Sequence, residues 1–252
     1  MISPDTLAGP PAVYFIAALY LGGMAWRPLA YAGLFSQCVY MIARGLELGR
    51  LPLVGVHDTM SFLALSSMAF GLATLYSMKR DGAEGRDTML LMRMLALVSA
   101  IFTLVAATQA PKTGYLPPVL NTYWFELHVA VSFFSYALFG IAAFLGVMSI
   151  MRGTASYERL EYKTAFIGYG LFSISMIMGG VWAYLAWGTY WLWTPKELWT
   201  SLLWVYYSLY LHARLHPRFS GRMTAAMGVA GYGVVLFTYL GVGLLMKSSH
   251  SF

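Results

Sequence analysis

Apolar residues fill most of the chain, in runs that recur along its whole length and are separated by short polar stretches. A run of roughly 17–25 such residues is long enough to cross a bilayer as a helix. The pattern predicts helices at residues 11–26, 28–46, 59–78, 88–108, 124–150, 163–186, 198–215 and 224–246. We therefore expect an all-α polytopic membrane protein, a bundle of transmembrane helices that forms one integral membrane domain over residues 1–252.

Composition and charge support this interpretation and orient the bundle. The chain is 59% hydrophobic and 10% charged, whereas a soluble domain has about 25% charged residues. Lys and Arg concentrate at one set of helix ends, which the positive-inside rule places in the cytoplasm. The opposite set of helix ends has few of them: Arg44, Arg50, Lys112, Lys196 and Lys247. Both termini are then predicted outside, and the net charge of +6 reflects cytoplasmic loops rather than nucleic-acid binding.

Cysteine content excludes disulfide and CxxC chemistry within this chain, and the N-terminal sequence argues against a cleaved signal peptide. Cys38 is the chain's one cysteine, so neither a disulfide within the chain nor a CxxC thiol pair can form. The first apolar run has no positively charged stretch ahead of it, which favours a retained first helix over a cleaved signal peptide.

Five histidines are candidate functional residues, because ionisable groups at membrane depth are costly and usually have a partner. The predicted topology places His57, His128 and His250 on the outer side. It places His212 near the inner end of the seventh helix, and His216 in a cytoplasmic loop where solvation is expected. Neutral imidazoles are good ligands for haem iron, and a pair of them gives bis-histidine ligation.

The outer loop reads WGTYWLWTPKELW at residues 187–199, and six of the chain's eight tryptophans lie between Trp182 and Trp204. Such a cluster is typical of an interfacial aromatic belt, but flat rings also suit the stacking of a porphyrin. The residues alone leave haem binding, quinone binding and a belt open. Thr194, Pro195 and Glu197 together predict a capping box that starts the seventh helix.

The segment from Gly179 to Arg214, with its WGTYWLWTPKEL core, resembles the tryptophan-rich motif of the cytochrome c assembly proteins of the CcsA/ResC and CcmC type. That motif reads approximately W-G-x-x-W-x-W-D-x-x-E and is followed by a helix that ends in a histidine. Similar segments surround His128 (NTYWFELHVAVSFF) and His250 (GVGLLMKSSHS), and a looser one surrounds His57. The resemblance covers roughly residues 40–252 in the expected order.

The resemblance implies a protein that binds haem b and presents it on the outer face of a bacterial inner membrane. There, haem would be attached covalently to a CxxCH apocytochrome c. His128 and His250 would be the axial ligands of this outer haem, and His212 would belong to an inner haem site. The haem-contacting loop would comprise Trp182, Trp187, Gly188, Trp191, Trp193 and Glu197. The implied partners are a CcsB/ResB-like membrane protein and a thioredoxin-like thiol reductant, with the chain acting as one subunit of a holocytochrome c synthase.

Two departures from the family pattern keep alternatives open. Thr194 stands where the motif has aspartate, so capping survives but a negative charge beside the haem site is lost. His57 is an additional outer histidine, either a substitute polar contact or an added ligand. The alternatives are a non-catalytic HemX-like relative, a haem-bearing subunit of a redox complex, and a quinone-reactive membrane anchor.

Overall fold

The computed structural model describes residues 10–83, 85–114, 116–153, 155–216, 218–219 and 221–245, and all regular structure in these ranges is helical. The helices are α1 (Pro10–Gly23), α2 (Arg27–Leu48), α3 (Val56–Arg80), α4 (Arg86–Ala107), α5 (Tyr123–Arg152), α6 (Ala155–Trp187), α7 (Pro195–Leu215) and α8 (Gly221–Leu236). A π-helical turn, Phe237–Gly241, joins α8 to the short α9 (Val242–Leu245), and a 3-10 turn at Pro118–Leu120 precedes α5. Each predicted helix is present. Among the helix starts, the largest difference is that α6 begins at 155 rather than at 163, and the last predicted helix, 224–246, is divided by the π-helical turn into α8 and α9.

Five helical stretches of the described chain are long and apolar enough to cross a membrane: Val56–Arg80, Arg86–Ala107, Tyr123–Arg152, Ser156–Trp187 and Gly221–Gly241. The apolar helix Pro11–Gly23 is shorter. This architecture is consistent with the expected all-α polytopic membrane protein. Eight membrane crossings and two outer termini stay predictions.

The helices group into two compact units, Met1–Tyr115 and Leu116–Phe252. In the first unit, α3 packs along α4, and α1 packs against both α2 and α4. Pro28 lies in the first turn of α2, where its missing N–H is tolerated, and Gly49 ends that helix in a left-handed conformation with φ +64°. That residues 1–252 act as a single domain stays a prediction.

In the second unit, α5 packs against α6 and α8, and α7 packs against the same two helices. Its core includes Phe139, Phe172 and Leu203, and the ring of Tyr207 stacks on that of Phe139. Gly153 ends α5 with φ +65° and donates its N–H to the carbonyl of Ser149, so that α6 returns antiparallel to α5 after a short turn. The start of α5, the end of α6 and the start of α7 therefore share one end of this unit.

Candidate functional site

His128 lies in the second turn of α5, at the end of the second unit that carries the tryptophan-rich loop. Thr122 caps this helix by accepting the N–H of Phe125 at 3.2 Å, which fixes the first turn. Nδ1 of His128 lies 2.8 Å from the backbone carbonyl oxygen of Ser175 on α6. Because a carbonyl can only accept, Nδ1 carries the proton and Nε2 carries the lone pair. This is the tautomer, fixed by a carbonyl partner, that metal-ligating histidines adopt.

Two serines reinforce the position of His128. The hydroxyl of Ser132, one turn further along α5, donates to the His128 carbonyl at 2.7 Å. The hydroxyl of Ser175 donates to the same carbonyl at 3.2 Å and lies 3.2 Å from Nδ1. Both the ring and the backbone of His128 are thus tied to α6.

A stripe of residues on α6, four and then three positions apart, faces the His128 ring: Ser175, Gly179 and Trp182. A Cβ atom added to Gly179 would lie 2.7 Å from both Cε1 and Nδ1 of His128, so the ring packs where a side chain would otherwise be. The Trp182 ring is nearly parallel to the imidazole, at 13° with centroids 6.3 Å apart. Its indole N–H donates to the Val119 carbonyl at 2.7 Å, which holds this buried ring in place.

The tryptophan-rich loop begins where Gly188 ends α6. Gly188 has φ +73° and donates its N–H to the Tyr184 carbonyl at 2.8 Å, so its role in the structure is to turn the chain out of the helix. The Trp187 ring meets Trp182 edge to face, with centroids 4.9 Å apart. The rings of His128, Trp182 and Trp187 therefore contact one another in series.

Trp191 and Trp193 lie further along the loop and are placed differently from each other. Trp191 is half-buried, whereas Trp193 is 70% exposed and has the positive φ of 58° that residues other than glycine rarely adopt. The exposed ring of Trp193 is available for contact with another molecule, and its strained backbone conformation is typical of a functional position.

The predicted capping box at the start of α7 is confirmed. The Thr194 hydroxyl accepts the N–H of Glu197 at 3.3 Å, and Oε2 of Glu197 accepts the N–H of Thr194 at 3.0 Å. The same carboxylate oxygen also accepts the N–H of Leu192 at 2.9 Å. Glu197 is buried, so its carboxylate fixes the backbone of the loop that carries the tryptophans.

His212 lies on the exposed surface near the other end of α7, roughly 25 Å along the helix from Pro195 at 1.5 Å per residue. Its Nδ1 lies 2.7 Å from the Ser208 carbonyl, so it has the same tautomer as His128. The Ser208 hydroxyl also bonds the Tyr169 hydroxyl at 2.6 Å, and the Tyr169 ring stacks on Trp204. His216, at the end of α7, is exposed as expected.

His57 lies in the first unit and has hydrogen bonds at both ring nitrogens. Nδ1 donates to the Ala106 carbonyl at 2.8 Å, with the Gln109 carbonyl at 3.1 Å, and Nε2 accepts from the Tyr40 hydroxyl at 2.6 Å. The ring is 3% exposed. Of the two interpretations given to His57, this geometry fits the polar contact, because ligation of a metal would displace the Tyr40 hydrogen bond.

The structure thus brings together several of the site residues predicted from the sequence, at one end of the second unit: His128, Trp182, Trp187, Gly188, Trp191, Trp193, Thr194 and Glu197. His250 lies outside the described residues. Ser132, Ser175 and Gly179 were missed. The available signal was helical spacing, since Ser132 lies four residues after His128, and Gly179 and Ser175 lie three and seven residues before Trp182. Nothing in the sequence shows which α6 residue meets His128.

Comparison with known proteins identifies the family. The sequence profile described as "Cytochrome C assembly protein" matches residues 53–250. The cytochrome c biogenesis protein CcsA of Chlamydomonas reinhardtii is 29% identical over 84% of this chain, which spans 64% of that relative's length. CcsA of Synechococcus elongatus is 28% identical, with 96% of this chain and 89% of the relative covered.

A solved structure shares the fold. The cytochrome c haem lyase CcmF superposes with a TM-score of 0.73 at 16% identity, over 95% of this chain and 47% of that chain. At this identity the likeness concerns the fold alone. The profile, in contrast, covers most of the sequence, and the chain therefore belongs to the cytochrome c assembly protein family.

Proposed function

We propose that this protein binds haem b and presents it for covalent attachment to the CxxCH segment of an apocytochrome c, as the CcsA-like subunit of a two-component holocytochrome c synthase. The observation that carries the proposal is the geometry of His128. Its Nδ1 is fixed by the Ser175 carbonyl, so Nε2 is the nitrogen with a lone pair, and its ring lies parallel to Trp182. Family membership and the CcsA relatives support the same function.

Haem b supplies vinyl groups, and a thiol of CxxCH adds across each vinyl double bond, which forms a carbon–sulfur bond and moves the thiol hydrogen to the neighbouring carbon. The task of this chain is to hold the vinyl edge against the incoming thiol, which is catalysis by proximity and orientation. No acid, base or nucleophile of this chain is needed for that task.

The histidines and tryptophans of the second unit have separate roles in this proposal. Nε2 of His128 would be one axial ligand, and His250 would be the other. Trp182 and Trp187 would form the side of the haem pocket, while Trp191 and Trp193 would cover it from the loop that Gly188 and Glu197 shape. The exposed His212, beside the stacked pair Tyr169 and Trp204, would hold haem at an inner site on the transfer path.

The distribution of Lys and Arg supports an orientation with the tryptophan-rich loop on the outer face, and we place the protein in a bacterial inner membrane. The expected partners are a CcsB/ResB-like membrane protein, the apocytochrome, and a thioredoxin-like reductant that keeps the CxxCH thiols reduced.

The proposal is tested by purifying the protein after expression with ample haem. We expect a bis-histidine haem b spectrum, and loss of most of the haem in His128→Ala and in His250→Ala. His216→Ala is the matched control, because His216 is exposed and outside the proposed sites. A haem-free wild-type preparation, together with continued cytochrome maturation by both variants, would refute the proposal.

A second candidate is a non-catalytic HemX-like relative, or a haem-bearing subunit of a redox complex, and Thr194 is the observation that favours it. The family motif has a carboxylate here, whereas Thr194 gives only a hydroxyl that is used in capping. Complementation of a strain that lacks its own cytochrome c assembly protein separates the two candidates. Good expression without attached haem would favour the second.

A further inference from the structure

Glu161 is a carboxyl group that the proposed haem site does not use. It lies two turns into α6, within the candidate membrane span Ser156–Trp187, and is 0% exposed. It belongs to the end of the second unit opposite the tryptophan-rich loop. An ionisable side chain at such a position is costly, and in membrane proteins it usually has a function.

Three helices surround this carboxyl. On α7, the Tyr210 hydroxyl donates to Oε1 at 3.2 Å. On α8, a Cβ atom added to Gly228 would lie 2.5 Å from Oε1, and on α5 a Cβ atom at Gly146 would lie 3.3 Å from it. The two glycines therefore provide the space that the carboxyl occupies.

Further polar atoms lie one helical turn away on the same elements. Tyr157 is four residues before Glu161 on α6, Ser149 is three after Gly146 on α5, and Tyr207 is three before Tyr210 on α7. Within the described part of the chain, their three hydroxyls and Oε2 of Glu161 are buried without a hydrogen-bond partner. Buried polar atoms are nearly always satisfied by protein or by ordered water.

The charged groups around Glu161 do not neutralise it directly. The Arg214 guanidinium of α7 acts on Glu161 electrostatically, but its hydrogen bonds go to the Thr224 hydroxyl, at 2.9 Å, and to the Glu158 backbone carbonyl. Glu158, one turn earlier on α6, adds a negative charge nearby.

Other titratable groups lie beside the surrounding tyrosines. The positive charge of Arg152 on α5 is near the Tyr157 hydroxyl, and Tyr232 on α8 lies near Tyr207. An ionised Glu161 would therefore be a buried charge with one tyrosine donor, whereas a neutral carboxyl is far less costly to bury.

We propose that Glu161 is an intramembrane proton-binding site, which carries one exchangeable proton on Oε2 in the folded chain. Oε1 is then the carbonyl oxygen, which fits its role as acceptor from Tyr210. Ordered water held by the hydroxyls of Ser149 and Tyr157, which lie toward the nearer end of the second unit, connects Oε2 to solvent. Binding adds one proton to a carboxylate, so no electron moves, and the site does not depend on haem.

Infrared spectroscopy of the purified full-length protein tests this directly. At neutral pH we expect a protonated-carboxyl C=O band in the wild type, its loss in Glu161→Gln, and its retention in Glu47→Gln. Glu47 is the matched control because its side chain is 45% exposed. Absence of the band in the wild type, or its persistence in Glu161→Gln, overturns the proposal.

Two measurements keep the test decisive if Glu161→Gln does not fold. In D2O the wild-type band should shift to lower frequency, and an unshifted band overturns the exchange of the proton through water. In Tyr210→Phe the band should move to higher frequency, because its carbonyl loses the donor. A band that is the same in wild type and Tyr210→Phe does not arise from Glu161, and this outcome also overturns the proposal.

Discussion

Gly179→Ala is the substitution that most directly tests whether α6 sets the position of His128. The added Cβ would lie 2.7 Å from Cε1 and Nδ1 of His128, whereas ordinary van der Waals contact begins at 3.4 Å. The ring must therefore move by about 0.7 Å, and such a shift along the bond would lengthen the 2.8 Å contact between Nδ1 and the Ser175 carbonyl to about 3.5 Å. At that length the contact is no longer a useful hydrogen bond, and the tautomer of His128 is no longer fixed.

The expected cost follows from these distances. Overpacking of this kind destabilises a fold by about 1–3 kcal/mol, and loss of the partner that orients a metal-ligating histidine lowers metal affinity by about 10–100-fold. We therefore expect haem affinity to fall by about 10–100-fold while the protein still folds. Haem titration of purified protein by absorbance, beside thermal unfolding of the same samples, measures both quantities.

Gly180→Ala is the matched control, since the nearest atom to its added Cβ is the Tyr190 carbonyl oxygen at 3.6 Å, an ordinary contact. Haem binding by Gly179→Ala as tight as that of the wild type, or an equal loss of haem in both alanine variants, would refute this role of Gly179. The first outcome would show that the His128 ring has room to move. The second would show that α6 tolerates an added methyl group neither at Gly179 nor at Gly180.

Glu197→Ala removes the acceptor of two loop amides, so the protein should lose about 2 kcal/mol of unfolding free energy in a chemical denaturation experiment; unchanged stability would mean that the loop finds other partners. Thr194→Asp should keep the helix cap, with stability within about 0.5 kcal/mol of the wild type, and should lower the reduction potential of bound haem in a redox titration, because a carboxylate stabilises the oxidised iron. Asp58→Asn removes the buried counter-charge of the Arg44 guanidinium, which lies 2.6 Å from the Asp58 carboxylate, and should cost about 3–5 kcal/mol. Glu47→Gln, whose 4.0 Å pair with the same arginine is partly exposed, should cost less than about 1 kcal/mol, and equal losses would contradict this assignment.

The helices were predictable because apolar residues recur in runs of helical length, and five of the resulting helical stretches in the described chain are long and apolar enough to cross a bilayer. The start of α6 was placed too late because its first turns contain Glu158, Arg159 and Glu161, which read as a loop when only hydropathy is considered. In the structure two of these residues are held by tertiary contacts. The Glu158 carbonyl accepts from Arg214, and Glu161 is buried against Tyr210.

The candidate site was predictable to different degrees. The capping box at Thr194 and Glu197 is local, so four consecutive residues suffice to define it. The environment of His57 depends on carbonyls of Ala106 and Gln109, about fifty residues further along the chain, and no short pattern encodes that distance. Sequence therefore identified the histidines, but not the partners that set their tautomers.

The histidines of the two ends of the second unit share one tautomer but obtain it from different sources. His212 donates to Ser208, four residues earlier in its own helix, so its orientation is a property of α7 alone. His128 donates to Ser175 of the neighbouring helix, across the contact that Gly179 makes possible. The orientation of His128 therefore depends on how α5 and α6 pack, and a small relative movement of these helices alters its ring without disturbing His212. If haem binds at both histidines as proposed, this asymmetry makes the His128 site the one whose affinity the packing of α5 against α6 can adjust.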